Sequence, residues 1–226
     1  AMKNEFISSV SHELRTPLAM MQTKLELFTE EHSDVDAETS KLVQFQIDQV
    51  DRLTSLVRTL LEMSNLQSVS RSDEIELAPL IDEILTDLTT LAEQKNITLH
   101  QNCEDVHMIG SDTLIYRLLF NLIENAIKYN HSGGSVTVSM QQENQQVLLH
   151  IADTGCGIPE EYRESIFQPF FRVDKSRSRQ MGGVGLGLAL VREIAVLHGG
   201  SVCVESGSKD GTTFAVKLPL NGEKTE

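Results

Sequence analysis

Ser11-His12-Glu13-Leu14-Arg15-Thr16-Pro17 sits in a run whose apolar residues, Phe6, Val10, Leu14, Leu18, Met21, Leu25 and Phe28, recur every three or four positions. That spacing is one face of a helix. At about 100° per residue, His12 falls roughly 160–200° from Val10 and Leu14, on the solvent face rather than on the stripe. Thr16 returns to within about 40° of His12, and Glu13 lies about 100° round, so all three can serve one exposed reaction site. Pro17 removes the N–H that the carbonyl of Glu13 would accept, and a bend beside the histidine is expected. An exposed histidine taken alone is most often only solvated. The neighbouring residues and the rest of the chain have to decide its role.

Working outward, the helical pattern runs to about Glu31, and a polar break over 32–36 ends on Asp36, a residue type that caps a following helix. A second pattern reads Val43, Ile47, Val50, Leu53, Val57, Leu60 and Ser64, broadened by Leu42, Phe45, Leu56 and Met63. Two long amphipathic helices with a tight connection form a hairpin, and a lone hairpin leaves much of two such wide stripes wet. Pairing two copies through residues 2–68 buries them, which predicts a homodimeric four-helix bundle. Residues 69–73 are polar and read as a linker between a domain over 1–68 and another over 74–226.

Past the linker the periodicity is mixed. Strands are expected over 74–77, 97–102 and 106–109, with a helix between the first two that Pro79 opens and that ends near Lys95. A helix over 112–128 carries Leu114, Leu118, Leu119, Leu122, Ile123 and Ile127 inward. A hairpin over 135–141 and 146–152, a helix from about Val184 to His198, and strands over 201–205 and 212–218 joined by a Gly-rich turn complete the pattern. The predicted fold class is therefore multidomain: an all-α helical hairpin forming a dimeric four-helix bundle, followed by an α+β sandwich with one mixed sheet and helices stacked on one face.

Composition narrows the function. With 19 basic against 33 acidic residues the net charge is −14, which repels nucleic acid and anionic lipid. Nucleic acid is not an expected partner, and no membrane contact is expected within this fragment. Cys103, Cys156 and Cys203 are far apart and lack metal-ligand spacing, which fits a reducing cytoplasm. The chain starts on the helical pattern at Met2-Lys3, as expected of a piece cut from a longer protein.

Three stretches look chemical. Asn121, Asn125 and Lys128 share one helix face, with Glu124 about 60° round. Asparagine is a poor helix-interior residue, so two of them beside an apolar stripe point to a ligand. Asn oxygens suit a hard cation such as Mg²⁺, Lys128 suits a phosphate, and Glu124 can take a proton or hold a metal-bound water. Asp153-Thr154-Gly155-Cys156-Gly157-Ile158-Pro159 ends a strand with an acid and two glycines, allowing close backbone approach to a planar ligand. Gly182-Gly183-Val184-Gly185-Leu186-Gly187 opens a helix whose free N–H groups can bind phosphate. Between these last two lie Arg172, Lys175, Arg177 and Arg179 against the single acid Asp174, a basic flap suited to an anion.

The stretch FISSVSHELRTPLAMM resembles the phospho-acceptor box of sensor histidine kinases. NLIENAIKYN from Asn121, DTGCGIP from Asp153, FQPFFR from Phe167, GVGLGLALV from Gly183 and GTTF from Gly211 are similar, in order and spacing, to the nucleotide-binding boxes of the same family. Those boxes belong to the Bergerat ATP fold, shared with gyrase, Hsp90 and MutL. The resemblance implies that Asp153 reads the adenine amino group, that Asn125 is the metal ligand for Mg²⁺, and that Asn121, Lys128 and Tyr129 line the phosphates and base. Gly183, Gly185 and Gly187 would bind phosphate through backbone, and Phe167, Phe170 and Phe171 would anchor the flap. Gly155, Gly157, Ile158, Phe170, Arg172, Lys175, Leu186 and Thr213 fall among the implied nucleotide contacts. Val184 departs from the family, which often has Ser or Thr there, and this removes a hydroxyl contact but keeps the N–H.

The implied function is the cytoplasmic catalytic core of a membrane-anchored bacterial sensor. ATP with Mg²⁺ would phosphorylate His12, a response-regulator receiver domain would take the group on an aspartate, and Glu13 would orient the ring or accept its proton. Glu13-Leu14-Arg15-Thr16 also resembles the ExxT phosphatase motif of bifunctional members, with Thr16 positioning a water. Two rivals are an ATP-driven clamp, which lacks a phospho-acceptor box, and a dimeric scaffold with a silent nucleotide site, against which the intact Asn125, Asp153 and glycines argue.

Overall fold

A computed structural model describes the backbone of residues 2–32, 35–173, 185–208 and 210–221, with side chains from Leu14 onward and excepting Ser208. Two compact units emerge, one over residues 2–67 and the other over 68–173 with 187–221.

The first unit is the expected hairpin: α1, Met2–Glu31, and α2, Ala37–Asn65. Asp36 caps α2, its Oδ1 accepting from the N–H groups of Glu38 and Thr39, both at 2.9 Å. These bonds hold the Asp36 carboxyl below its ordinary pKa. Among the described residues, Leu18, Val50, Val57 and Leu61 form the apolar core, with Leu25 packed against it. Leu14 and Met21, on the expected inward face of α1, are exposed in a single copy, as are Leu27, Leu42, Phe45 and Leu53.

The second unit holds two sheets where a single mixed one was expected. β1 (Asp73–Glu76) pairs antiparallel with β3 (His107–Gly110) as a separate ribbon. The main sheet takes β2 (Thr98–Cys103), β4 (Ser135–Glu143), β5 (Gln146–Asp153), β6 (Ser201–Ser208) and β7 (Gly211–Pro219) in the order β2-β4-β5-β7-β6. It is mixed, since β2 runs parallel to β4 while every other neighbour is antiparallel. A four-residue strand gives no periodicity that reveals its partner, which is why the ribbon was not separable in the sequence. The 69–73 linker ends one residue early, because Asp73 already pairs with Gly110.

Among the described residues this unit has the helices α3 (Leu77–Gln94), α4 (Asp112–Lys128) and α5 (Gly187–Leu197). α3 starts two residues before Pro79, its Leu77 N–H donating to the Val106 carbonyl. Pro79 is then the third helical residue, where a missing N–H costs nothing. All six inward residues expected on α4 are buried. Val136, Val138 and Met140 on β4, Val147, Leu149 and Ile151 on β5, and Phe214, Val216 and Leu218 on β7 are buried at alternate positions. One sheet face is thus covered and the other carries the half-exposed and polar residues.

Candidate functional site

Asp153 closes β5, where Thr212 of β7 is its register partner. Its Oδ1 accepts from Gly155 N at 2.8 Å and from Thr212 N at 3.2 Å. Among the described residues Oδ2 accepts nothing from protein. One oxygen is therefore fixed by two backbone donors and the other is left for a donor from outside. Burial raises the Asp153 pKa, and the two backbone bonds oppose that rise. The glycines beside it are sterically required. A Cβ on Gly155 would lie 2.4 Å from the Tyr129 carbonyl, and one on Gly211 would lie 1.9 Å from the Asp153 carbonyl.

Thr212, missed in the sequence, is the β7 residue at this site: it is buried and pairs with Asp153. Thr213 pairs with Ala152 and so sits on the opposite face of the sheet from Asp153. Thr213 is therefore not a neighbour of the Asp153 carboxyl on that face. Strand alternation through the buried Phe214 carried the signal, because positions two apart share a face.

The C-terminal end of α4 is joined to the same loop. Cys156 N donates to the Tyr129 carbonyl at 3.2 Å. Asn130 Oδ1 accepts from Thr154 Oγ1 at 3.1 Å, Asn130 Nδ2 donates to the Ser135 carbonyl at 2.9 Å, and Ser135 N donates to Thr154 Oγ1 at 2.9 Å. Asn130 and Thr154 are thus a brace between α4 and the Asp153 loop, unrecognised in the sequence because their partners are 24 residues apart. Tyr129 is 37% exposed. Burial pushes its phenol up, while the Arg172 guanidinium opposes the shift.

On α4 the expected face is present. Asn121 Nδ2 donates back to the Arg117 carbonyl at 2.7 Å, and a Cβ on Gly187 would lie 2.7 Å from Asn121 Oδ1. The Asn125 side-chain amide has no protein partner among the described residues. Glu124 and Lys128 pair with each other at 2.9 Å, both only part-exposed. Lys95 Nζ donates to the Lys128 carbonyl at 2.5 Å, and burial followed by the Lys128 charge lowers the Lys95 pKa. Two cations therefore crowd the end of α4, where the helix dipole favours positive charge.

Gly157 and Gly185 have φ of +69° and +80°, backbone that a side chain would strain. Ile158 is part-buried and Leu186 is buried. Of the three expected flap anchors, Phe167 is buried edge-on against Phe214 and Phe171 packs at a tilt on Tyr162. Phe170 is 58% exposed, with φ +65°. Lys175, Arg177, Arg179 and Gly183 lie outside the described residues, as do the side chains of His12 and Glu13. Thr16 is exposed. No group of three or more His, Cys, Asp or Glu gathers for a metal among the described residues. The side-chain oxygen of Asn125 is of the hard-donor type that would suit a cation such as Mg²⁺.

The family model for the His Kinase A (phospho-acceptor) domain matches residues 2–69, and that for the histidine kinase-, DNA gyrase B- and HSP90-like ATPase matches residues 110–222. The chain belongs to the sensor histidine kinases. This histidine kinase core is 34% identical to the sensor histidine kinase RppB of Synechocystis sp. over 96% of its own length and 49% of that protein. It spans about half the length of the curated relatives it matches. Among solved structures, full-length ShkA in complex with AMPPNP has a TM-score of 0.77 at 24% identity, covering 96% of this chain and 46% of that one, a likeness of fold. Histidine kinase ThkA in complex with response regulator protein TrrA has a TM-score of 0.68 at 26% identity, covering 97% and 62%. No helix among the described residues is long and apolar enough to cross a membrane.

Proposed function

We propose that this chain binds ATP with Mg²⁺ in its α/β unit, phosphorylates His12, and passes the group to an aspartate of a response-regulator receiver domain. The observation that carries the reading is Asp153, with Oδ1 held by Gly155 and Thr212 and Oδ2 free of protein donors among the described residues. An ionised acceptor fixed in this way selects an exocyclic amino group such as that of adenine. Asn121, Asn125, Lys128 and Tyr129 stand on the helix that ends beside it, with Gly155, Gly157, Ile158, Arg172, Gly185, Leu186 and Gly187 as further contacts. Lys128 would exchange Glu124 for phosphate, and Glu124 would then be released to hold a proton or a metal-bound water. The Asn125 oxygen would hold Mg²⁺, which when bound would supply charge neutralisation at the phosphates. A neutral ring nitrogen of His12 forms the bond to the γ-phosphorus as the bond to the ADP oxygen breaks, and Glu13 takes the proton from the ring.

The exposed apolar residues of the hairpin support a homodimer through residues 2–68, in which a second copy covers Leu42, Phe45 and Leu53. Thr16, exposed and one turn past His12, supports a phosphatase role toward the regulator. Incubation with γ-labelled ATP tests the kinase reading. Label should survive base, be lost in acid, and be absent from His12→Gln. Normal labelling of that variant would sink it. Thr16→Ala should keep autophosphorylation and slow regulator dephosphorylation about tenfold or more. Equal dephosphorylation rates would return Thr16 to a structural role.

A further inference from the structure

His198 follows the last residue of α5 and is only 3% exposed, the one ionisable side chain among the described residues of the buried core. Its Nδ1 lies 2.8 Å from the Ile194 carbonyl and its Nε2 lies 3.1 Å from Ser111 N. A carbonyl can only accept and an amide N–H can only donate. Nδ1 therefore carries the proton and Nε2 the lone pair, and the ring is neutral. Room for it is made by Gly110, where a Cβ would lie 3.0 Å from the ring Cδ2.

Ser111 is the N-cap of α4 and makes no side-chain cap bond. α4 and α5 pack along each other, and their two ends are joined differently. At one end Gly187, the first residue of α5, fits against Asn121 of α4. At the other, His198 meets Ser111. Ten residues of α4 and eleven of α5 separate these joints, about 15 and 16 Å of helix, so the pair is antiparallel and pinned at both ends. The same two helices carry Asn121, Asn125, Lys128 and Gly187.

We propose that His198 is a positioning residue for the nucleotide site: its neutral ring ties the start of α4 to the end of α5, and protonation of that ring loosens the helix pair and weakens nucleotide binding. The inference rests on the nucleotide reading of the site. Protonated Nε2 would set an N–H against the Ser111 N–H, a buried donor that would lose its acceptor. Around the ring, the Arg71 cation opposes a second positive charge. Asp73 and Asp112 flank the start of α4, with Asp112 N donating to Asp73 Oδ2 at 3.2 Å, while Arg192 and Glu193 of α5 and Lys217 of β7 are exposed. Burial is the largest effect and lowers the His198 pKa from its ordinary value. The neutral form therefore dominates in the free protein at neutral pH.

The test compares Mg·ADP affinity of the whole chain at about pH 8 and about pH 5.5 for wild type, His198→Gln and His198→Leu. Glutamine offers Ser111 N–H an acceptor that does not protonate, and it cancels the titration of the nucleotide's own phosphate. His198→Gln should bind within about threefold of wild type at the higher pH, and on acidification wild type should lose about tenfold more affinity than the variant. His198→Leu should bind about tenfold more weakly at both. By linkage, nitrogen NMR of the wild type should show nucleotide lowering the pKa of His198 further. Equal acid losses in wild type and His198→Gln, or an imidazole titration unmoved by saturating Mg·ADP, would overturn the inference alone. Failure of wild type to bind at the higher pH would overturn the nucleotide reading and the inference with it.

Discussion

The two units solve the problem of burial in opposite ways. The α/β unit closes on itself, with Leu118, Leu119, Leu122, Ile123 and Ile127 of α4 fully buried, and its buried Ser111 N–H, Thr212 N–H and His198 ring all bonded. The hairpin does not close: among the described residues its buried cluster is Leu18, Val50, Val57 and Leu61, while Met20, Met21, Leu27, Leu42, Phe45 and Leu53 are about half exposed or more. The difference teaches that the described apolar residues of one unit are covered within it, while those of the hairpin are left to be covered from outside; under the proposed homodimer, the hairpin's stability would depend on protein concentration.

The largest effect expected from this contrast is on assembly. Leu42→Asp with Phe45→Asp should turn the dimer into a monomer in sedimentation velocity, weakening association by about a thousandfold or more, because charge would have to be buried between copies. An unchanged dimer would place the interface elsewhere. A core substitution in the closed unit should act without regard to concentration. Leu118→Ala should cost about 2–5 kcal/mol in denaturant unfolding, equally in dilute and concentrated protein. A concentration-dependent loss would mean that the α/β unit also needs a partner.

A third substitution separates function from stability inside the closed unit. Asp153→Asn keeps an oxygen for Gly155 and Thr212 but presents an NH₂ where Oδ2 stood, so ATP affinity should fall about a hundredfold by calorimetry. The folded pKa of Asp153 is raised, so its charge costs stability at neutral pH, a cost relieved as pH falls through the folded value. Asp153→Asn should therefore melt no lower than wild type near neutrality. A clear drop in melting temperature would make Asp153 a structural acid. The smallest effect concerns His198. Its folded pKa lies below the ordinary 6.5, so the stability it contributes is present above that value and is lost as pH falls below it. His198→Gln should flatten this acid limb, read from urea midpoints. An identical limb in the variant would assign the acid loss to other groups.

Much of the chain was legible in order. The residues of α1, α2 and α4 announce themselves because a stripe repeated over many turns outweighs local exceptions such as Pro17 or Asn121. Asp36 was legible as a cap because capping is local. Leu14 and Met21 show the limit of the same reading: they lie on the expected stripe of α1 yet are exposed in one copy, since periodicity reports a face and not what covers it.

Element order, the helix faces and the boxes around Asp153 and Gly187 were thus determined by sequence alone, because they depend on residues a few positions apart. Tertiary structure decided the rest. It separated the β1–β3 ribbon from the main sheet, set Thr212 rather than Thr213 beside Asp153, and left Phe170 exposed. It also joined Asn130 to Thr154 and His198 to Ser111, the latter across 87 residues. A hydrogen bond between distant residues leaves no periodic trace in either segment. Only the register of strands and the packing of α4 on α5 bring such donors and acceptors within 3 Å or so.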